Sequence, residues 1–142
     1  VDCAVLIAVG ITADGRRRVI GVSVALSEAE VHWRAFLDSL IRRGLKGVKL
    51  IVSDDHAGLK AARRAVLPSV PWQRCQFHLQ QNAGHLVTKQ ELKSLIASQI
   101  AAIFNAESRR HADLVSEAYG TSSSARDGLR LDGGPYPCVS YS

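Results

Sequence analysis

Apolar and polar positions alternate over the first 26 residues and then change period. Residues Ala4 to Thr12 are mostly aliphatic and β-branched, Asp14-Gly15 is a turn dipeptide, and Val22, Val24 and Leu26 alternate in a second run that starts at Arg18. This pattern predicts a hairpin of two antiparallel strands. Beyond Ser27 the period lengthens. Trp33, Phe36, Leu37, Leu40 and Ile41 recur at helical spacing, Ser27 and Glu30 form a capping-box pattern ahead of them, and Gly44 supplies a stop. Val48 to Val52 is short and nearly continuously apolar, as a buried strand is, and it runs into Ser53-Asp54-Asp55.

A second helix is expected next, with Leu59, Ala62 and Val66 on one face and Lys60, Arg63 and Arg64 towards another. Pro68 and Pro71 break it, and Trp72 to Phe77 predicts a last strand. Thr88 with Glu91 repeats the capping-box pattern before Leu92, Leu95, Ile96, Ile100, Ile103 and Phe104, and a shorter helix is expected over 106–119. After Gly120 no period survives. Thr121-Ser122-Ser123-Ser124, Gly133-Gly134-Pro135 and Pro137 predict a disordered or unrelated tail over 121–142, leaving 1–120 as the folded part. Strand, strand, helix, strand, helix, strand is a mixed α/β order.

Composition narrows the class. The 142 residues are 46% hydrophobic and 22% charged, which suits one globular domain. The longest apolar run, Cys3 to Ile11, falls well short of the ~20 residues a membrane span needs, and no signal peptide opens the chain, so no membrane partner is expected. Three cysteines at irregular spacing (Cys3, Cys75, Cys138) suit a reducing cytoplasm better than a disulfide framework. The chain has no methionine, even at position 1.

Charge is concentrated. The net charge of the whole chain is +5, yet Arg42, Arg43, Lys46, Lys49, Lys60, Arg63, Arg64 and Arg74 crowd into one stretch whose only acids are Asp54 and Asp55. A basic field around an acidic pair fits a protein that grips a phosphate backbone near a metal, and it also fits a solvated basic surface. Asp54 falls beyond the carboxyl end of a predicted strand, where ligands gather in α/β sheets and where hard cations such as Mg²⁺ take carboxylate oxygens. Local context leaves a helix cap and a metal ligand equally open for Asp54, and assigns the cap to Asp55. Cys75-Gln76-Phe77-His78 presents a Cys-x-x-His pair, half of a structural zinc site that His56 and His85 could complete. The plainer reading is a buried cysteine beside a hydrogen-bonded histidine. Trp33, Trp72 and Phe77 are expected in the core.

In order along the chain, Ala4-Val5-Leu6-Ile7-Ala8-Val9-Gly10, Asp14-Gly15-Arg16-Arg17, Val19-Ile20-Gly21, Trp33, Phe36-Leu37 and Arg43-Gly44-Leu45 are followed by Val52-Ser53-Asp54, His56 and Gly58-Leu59. Pro71-Trp72-Gln73-Arg74-Cys75, His78 and Asn82 complete the set. This succession resembles the Mutator-type transposases of bacterial insertion sequences, from the first residues to about Tyr119. The resemblance implies an RNase H-like catalytic domain of the DDE class. Such enzymes use two Mg²⁺ (or Mn²⁺) ions on two aspartates and a glutamate to cut transposon ends and join them to target DNA. It implies Asp54 as the second catalytic Asp and metal ligand, and Cys75 with His78 as the family's Cys-x-x-His signature. Lys60, Arg63, Arg64 and Arg74 would lie along DNA. Implied partners are transposon-end and target DNA and other transposase copies, in a cytoplasmic, nucleoid-associated setting.

The match also implies gaps. The family's first Asp lies on a strand ahead of Ala4, Asp2 falls outside the motif, and none of Glu91, Glu107 or Glu117 stands in the context of the catalytic Glu. One carboxylate of three is expected, in a fold incomplete for want of its first, central strand and its C-terminal part. The missing methionine fits a window cut from a longer enzyme, and the chain is expected to be inactive alone. A non-catalytic basic DNA-binding or interaction module is the alternative.

Overall fold

The computed structural model describes residues 2–118. Its elements are β1 (Ala4–Ile11), β2 (Arg17–Ala25), α1 (Glu30–Arg42), β3 (Ile51–Ser53), α2 (Ala57–Val66), β4 (Trp72–Arg74), α3 (Gln76–His85), α4 (Gln90–Phe104) and α5 (Arg109–Ala118). The class is mixed α/β, with two two-stranded sheets. The expected tail at 121–142 lies outside the described residues. No described helix is long and apolar enough to cross a membrane.

The described residues divide into two compact units, one formed by 2–49 with 55–70 and the other by 50–54 with 71–118. In the first unit β1 and β2 pair antiparallel, as their alternation predicts. Ala4, Leu6, Ala8 and Gly10 point to one face, Val5, Ile7, Val9 and Ile11 to the other. The register shifts between Ala8 and Val9, because Ala8 opposes Gly21 while Val9 opposes Val19. Ile20 is therefore an extra residue, a β-bulge. The inner face receives α1: Leu6, Phe36 and Leu40 are buried together, ringed by Ala4, Ala8, Ile20, Ala25, Trp33, Leu37 and Leu45. Burying each of these three large side chains is worth about 1.5–3 kcal/mol. The outer face stays open, with Val5, Ile7, Val9, Val22 and Val24 each more than half exposed.

The end of α1 matches its sequence signal and its start does not. Gly44 takes a φ of +101°, its N–H donates to the Ile41 carbonyl, and the Leu45 N–H donates back to the Leu40 carbonyl. That is a Schellman turn, and Leu45 packs against the core as the motif requires. At the other end the N-cap is Ala29 with no side-chain cap. Ser27 Oγ accepts from the Ala29 N–H two residues on, so the capping-box pattern makes a local turn instead. Thr88 is displaced likewise, since α4 opens after Lys89.

Helix α2 packs closely on α1 and the turn before it. A Cβ on Gly58 would stand 2.4 Å from the Glu28 carbonyl oxygen and 2.9 Å from the Glu30 nitrogen, both backbone atoms that no rotamer change can move aside. In the second unit β3 and β4 pair parallel, α3 packs on α4 through the Gln80 side-chain amide donating to the Ala97 carbonyl (3.0 Å), and α5 follows with Ser108 Oγ accepting the His111 N–H. The strand expected over 48–52 is observed over 51–53. A strand extends only where it has a partner, and β4 offers three residues between Pro71 and Cys75.

Gly58→Ala is expected to lower unfolding free energy by about 1–3 kcal/mol, because the methyl group forces two backbones apart. Gly84→Ala, in α3 with open space around its Cβ, is expected to raise it by about 0.4–1 kcal/mol. Urea unfolding of the two variants against the parent chain checks the opposite signs.

Candidate functional site

Two short strands set the position of Asp54. Ile51, Val52 and Ser53 oppose Trp72, Gln73 and Arg74, the Ile51 N–H donates to the Pro71 carbonyl, and the Cys75 N–H donates to the Ser53 carbonyl at 2.6 Å. Asp54 and Cys75 thus leave their strands side by side at the carboxyl end of the pair, the place where α/β sheets gather ligands. Trp72 is buried, and its indole N–H donates to Ser53 Oγ (2.8 Å), whose hydroxyl donates to the Asp54 carbonyl (2.8 Å). Asp54 is half-buried, and its carboxylate accepts no hydrogen bond from the described residues. An unoccupied acceptor in that position can take a cation or a donor from a ligand.

Trp72 and Ser53 are the residues that a sequence reading undervalues. Trp72 is expected only as core, and Ser53 receives no role. The spacing of the two strands carries no sign that an indole N–H of one will bind a hydroxyl of the other.

The neighbouring residues of the first unit differ from expectation. Asp55 is not the cap of α2: the N-cap is His56, again without a side-chain bond, and the Asp55 carboxylate is paired with the Lys60 ammonium. Lys60 therefore faces an acid within its own unit. Arg63, which the resemblance sets along DNA, is buried, 3% exposed, with Nη1 donating to the Val70 carbonyl at 3.2 Å. Its guanidinium ties the turn after α2 to the helix. Arg64 is exposed, and Arg74, of the second unit, is half-buried at the end of β4.

The Cys-x-x-His pair also falls elsewhere than expected. The last strand ends at Arg74, Cys75 is the half-buried N-cap of α3, and Phe77 and His78 occupy the first turn of that helix. Phe77 is 61% exposed rather than core, with its ring edge-on to the exposed His78 ring at 5.6 Å. Cys75 carries a free thiol. The described residues bring no three His, Cys, Asp or Glu side chains together as a metal site, so His56 and His85 do not complete a zinc set with this pair. Asp2, Glu91, Glu107 and Glu117 are all exposed.

Comparison with known proteins gives a consistent result. The family model described as "Transposase, Mutator family" matches residues 1–126. The chain is 70% identical over 118 residues to the transposase for insertion sequence element IS406 of Burkholderia multivorans, a match covering 83% of this chain and 30% of that protein. It is 55% identical to the transposase for ISRM5 of Rhizobium meliloti, over 61% of this chain and 22% of that one. It is 43% identical to the transposase for IS256 in transposon Tn4001 of Staphylococcus aureus, over 62% and 23% respectively. The chain spans less than a third of the length of these relatives.

The buried guanidinium has a measurable consequence. Arg63→Ala is expected to cost about 1.5–3 kcal/mol of unfolding free energy, since it removes a charge-assisted bond and leaves a buried carbonyl without its donor. Arg64→Ala, one residue on and exposed, is expected to stay within about 1 kcal/mol of the parent. Paired thermal or urea denaturation curves read the difference directly.

Proposed function

Because the chain belongs to the Mutator family of transposases, we propose that it forms part of an RNase H-like catalytic domain of the DDE class. Its reaction is metal-dependent cleavage of DNA at transposon ends and strand transfer into target DNA. The observation that carries this reading is Asp54: a half-buried carboxylate, without a donor among the described residues, at the carboxyl end of two parallel strands in a chain of this family. Mg²⁺ keeps several waters and takes one or two carboxylates from protein, the rest of its shell coming from water and phosphate. Asp54 fits one such position. When bound there, the ion would stabilise charge on the oxygens of a phosphodiester undergoing in-line displacement.

The chain's own residues hold that carboxylate rather than complete the site. The indole of Trp72 fixes Ser53, the Ser53 hydroxyl binds the Asp54 carbonyl, and the Cys75 N–H anchors the far side of the same peptide run. Arg74, in the unit of Asp54, supplies positive charge for phosphates; within the first unit Arg64 offers charge of the same kind, and Lys60 does so in exchange with Asp55. Arg63 is left out of this set by its burial. The other two carboxylates of a DDE site have no counterpart grouped with Asp54 among the described residues. In this reading the chain alone does not carry out strand transfer, and it acts with DNA and with further transposase chains.

Mn²⁺ titration of the ¹⁵N-labelled chain tests the role of Asp54. The amides of Ser53, Asp54 and Cys75 are expected to broaden first, and Asp54→Asn is expected to abolish that broadening; equal broadening in the variant overturns the assignment. Incubation of the chain with a transposon-end duplex and Mg²⁺ is expected to give no joined product. Product that disappears with Asp54→Ala would show a complete site. Salt-dependent DNA binding together with Asp54-independent Mn²⁺ behaviour would point instead to a non-catalytic basic module.

A further inference from the structure

The first unit carries basic residues of its own at the hairpin and the end of α1. The bulge at Ile20 decides what β2 presents near the hairpin tip: Arg18 opposes Gly10, so it points to the face shared by Leu6, Gly21 and α1, while Arg17 opposes Ile11 on the other face. On that same face the Arg43 guanidinium reaches over and donates to the Ile20 carbonyl. This bond ties the end of α1 to the strand that carries Arg18. Lys46 follows directly after the Schellman turn, and Arg18, Arg43 and Lys46 are all exposed. Between β2 and the end of α1 lies an open groove of about 390 Å³, lined by Val19, Ile20, Leu40, Arg43, Gly44 and Leu45.

These cations are not needed to neutralise the helix end. The last carbonyls of α1 at Ser39, Leu40 and Ile41 already accept backbone N–H groups of Arg43, Leu45 and Gly44. Nor is an acid supplied nearby in sequence: no Asp or Glu occurs from residue 15 to 27 or from 39 to 53. The acid of the hairpin turn, Asp14, is held by Arg16 at 3.0 Å. Arg18 and Arg43 on one face, with the exposed Lys46 directly after Leu45 of the groove lining, produce a local field that favours a polyanion.

We propose that Arg18, Arg43 and Lys46 of the first unit form a sequence-independent seat for the phosphate backbone of duplex DNA. The proposal rests on the reading of this chain as part of a DNA-acting enzyme and adds to it where the duplex is held. Phosphate contacts of this kind position a duplex without reading its bases, and they release counterions on binding.

Fluorescence anisotropy of the full chain with a short labelled duplex of arbitrary sequence, measured as KCl is varied, tests it. Arg18→Gln/Lys46→Gln leaves the Arg43 bond in place and is expected to reduce the slope of log K against log[KCl] by about 1.8, two contacts at about 0.9 each. Between about 50 and 200 mM KCl the parent should therefore lose about tenfold more affinity than the double variant. The charge-preserving variant Arg18→Lys/Lys46→Arg should keep the parent slope, as should Arg34→Gln, whose side chain is paired with Glu30 near the start of α1. If the double variant fails to fold, each single variant is read in its place, with an expected change of about 0.9. A parent that binds DNA while the neutralised variants keep its slope overturns this seat and leaves the DNA-acting reading standing. A parent that does not bind duplex DNA at low salt overturns both. Tighter binding to single-stranded RNA of the same length overturns the assignment to duplex.

Discussion

Three residue pairs, Ile51 with Trp72, Val52 with Gln73 and Ser53 with Arg74, fix where the chemistry of this chain can stand. A parallel ladder that short supplies few backbone bonds, and an isolated two-stranded sheet is marginal in water. The side chains make up part of the deficit. Trp72 removes a large apolar surface from solvent, and its indole N–H holds the hydroxyl of the residue that precedes Asp54. The Cys75 N–H extends the ladder one step beyond the last paired residue. Asp54 is presented on a chain segment held at both of its neighbours in space, while its own carboxylate takes no partner among the described residues. Preorganisation of this kind lets a carboxylate accept a cation without first giving up a protein partner.

Much of the fold could be read from periodicity. The hairpin and α1 follow from alternation and helical spacing, because each buries one face and each face is written in side chains of the right type. Gly44 is equally legible, since a Schellman turn needs a residue tolerant of positive φ at that point. The helix starts were less so. Ser27 and Thr88 have the right identity for caps, yet a hydroxyl at such a position can bond a turn N–H as readily as a helical one, and for Ser27 the turn prevails. The strand ends were set by pairing, which depends on a partner's length and so lies outside any local window.

Among the site residues, Arg63 is the instructive case. Charge suggested a solvent face, but Leu59 and Arg63 are four residues apart, and that spacing places both on one side of a helix. The signal was present in the number and was overridden by the residue type. Long cationic side chains can follow a buried path when a carbonyl waits at the end of it, and Val70 provides one. Phe77 erred in the opposite direction. Its aromatic character suggested core, but the helix begins at Gln76 and turns the ring outward beside His78. Asp54 was legible as a position, at the end of an apolar run; what surrounds it depended on Trp72, eighteen residues away.

The extra residue at Ile20 acts as a phase shift. A strand is a two-stroke alternator, and one inserted residue exchanges the odd and even positions on either side of it. In β2 the segment from Gly21 onwards is timed to deliver small side chains to α1, while the segment before it is timed independently, so that Arg18 and not Arg17 faces the helix side. Core and charge can thus be adjusted separately along one continuous strand. Pairing the same residues without the bulge would turn Arg17 to the helix side and Arg18 away from it, whereas deleting Ile20 would leave a regular ladder with Arg18 still opposite Gly10.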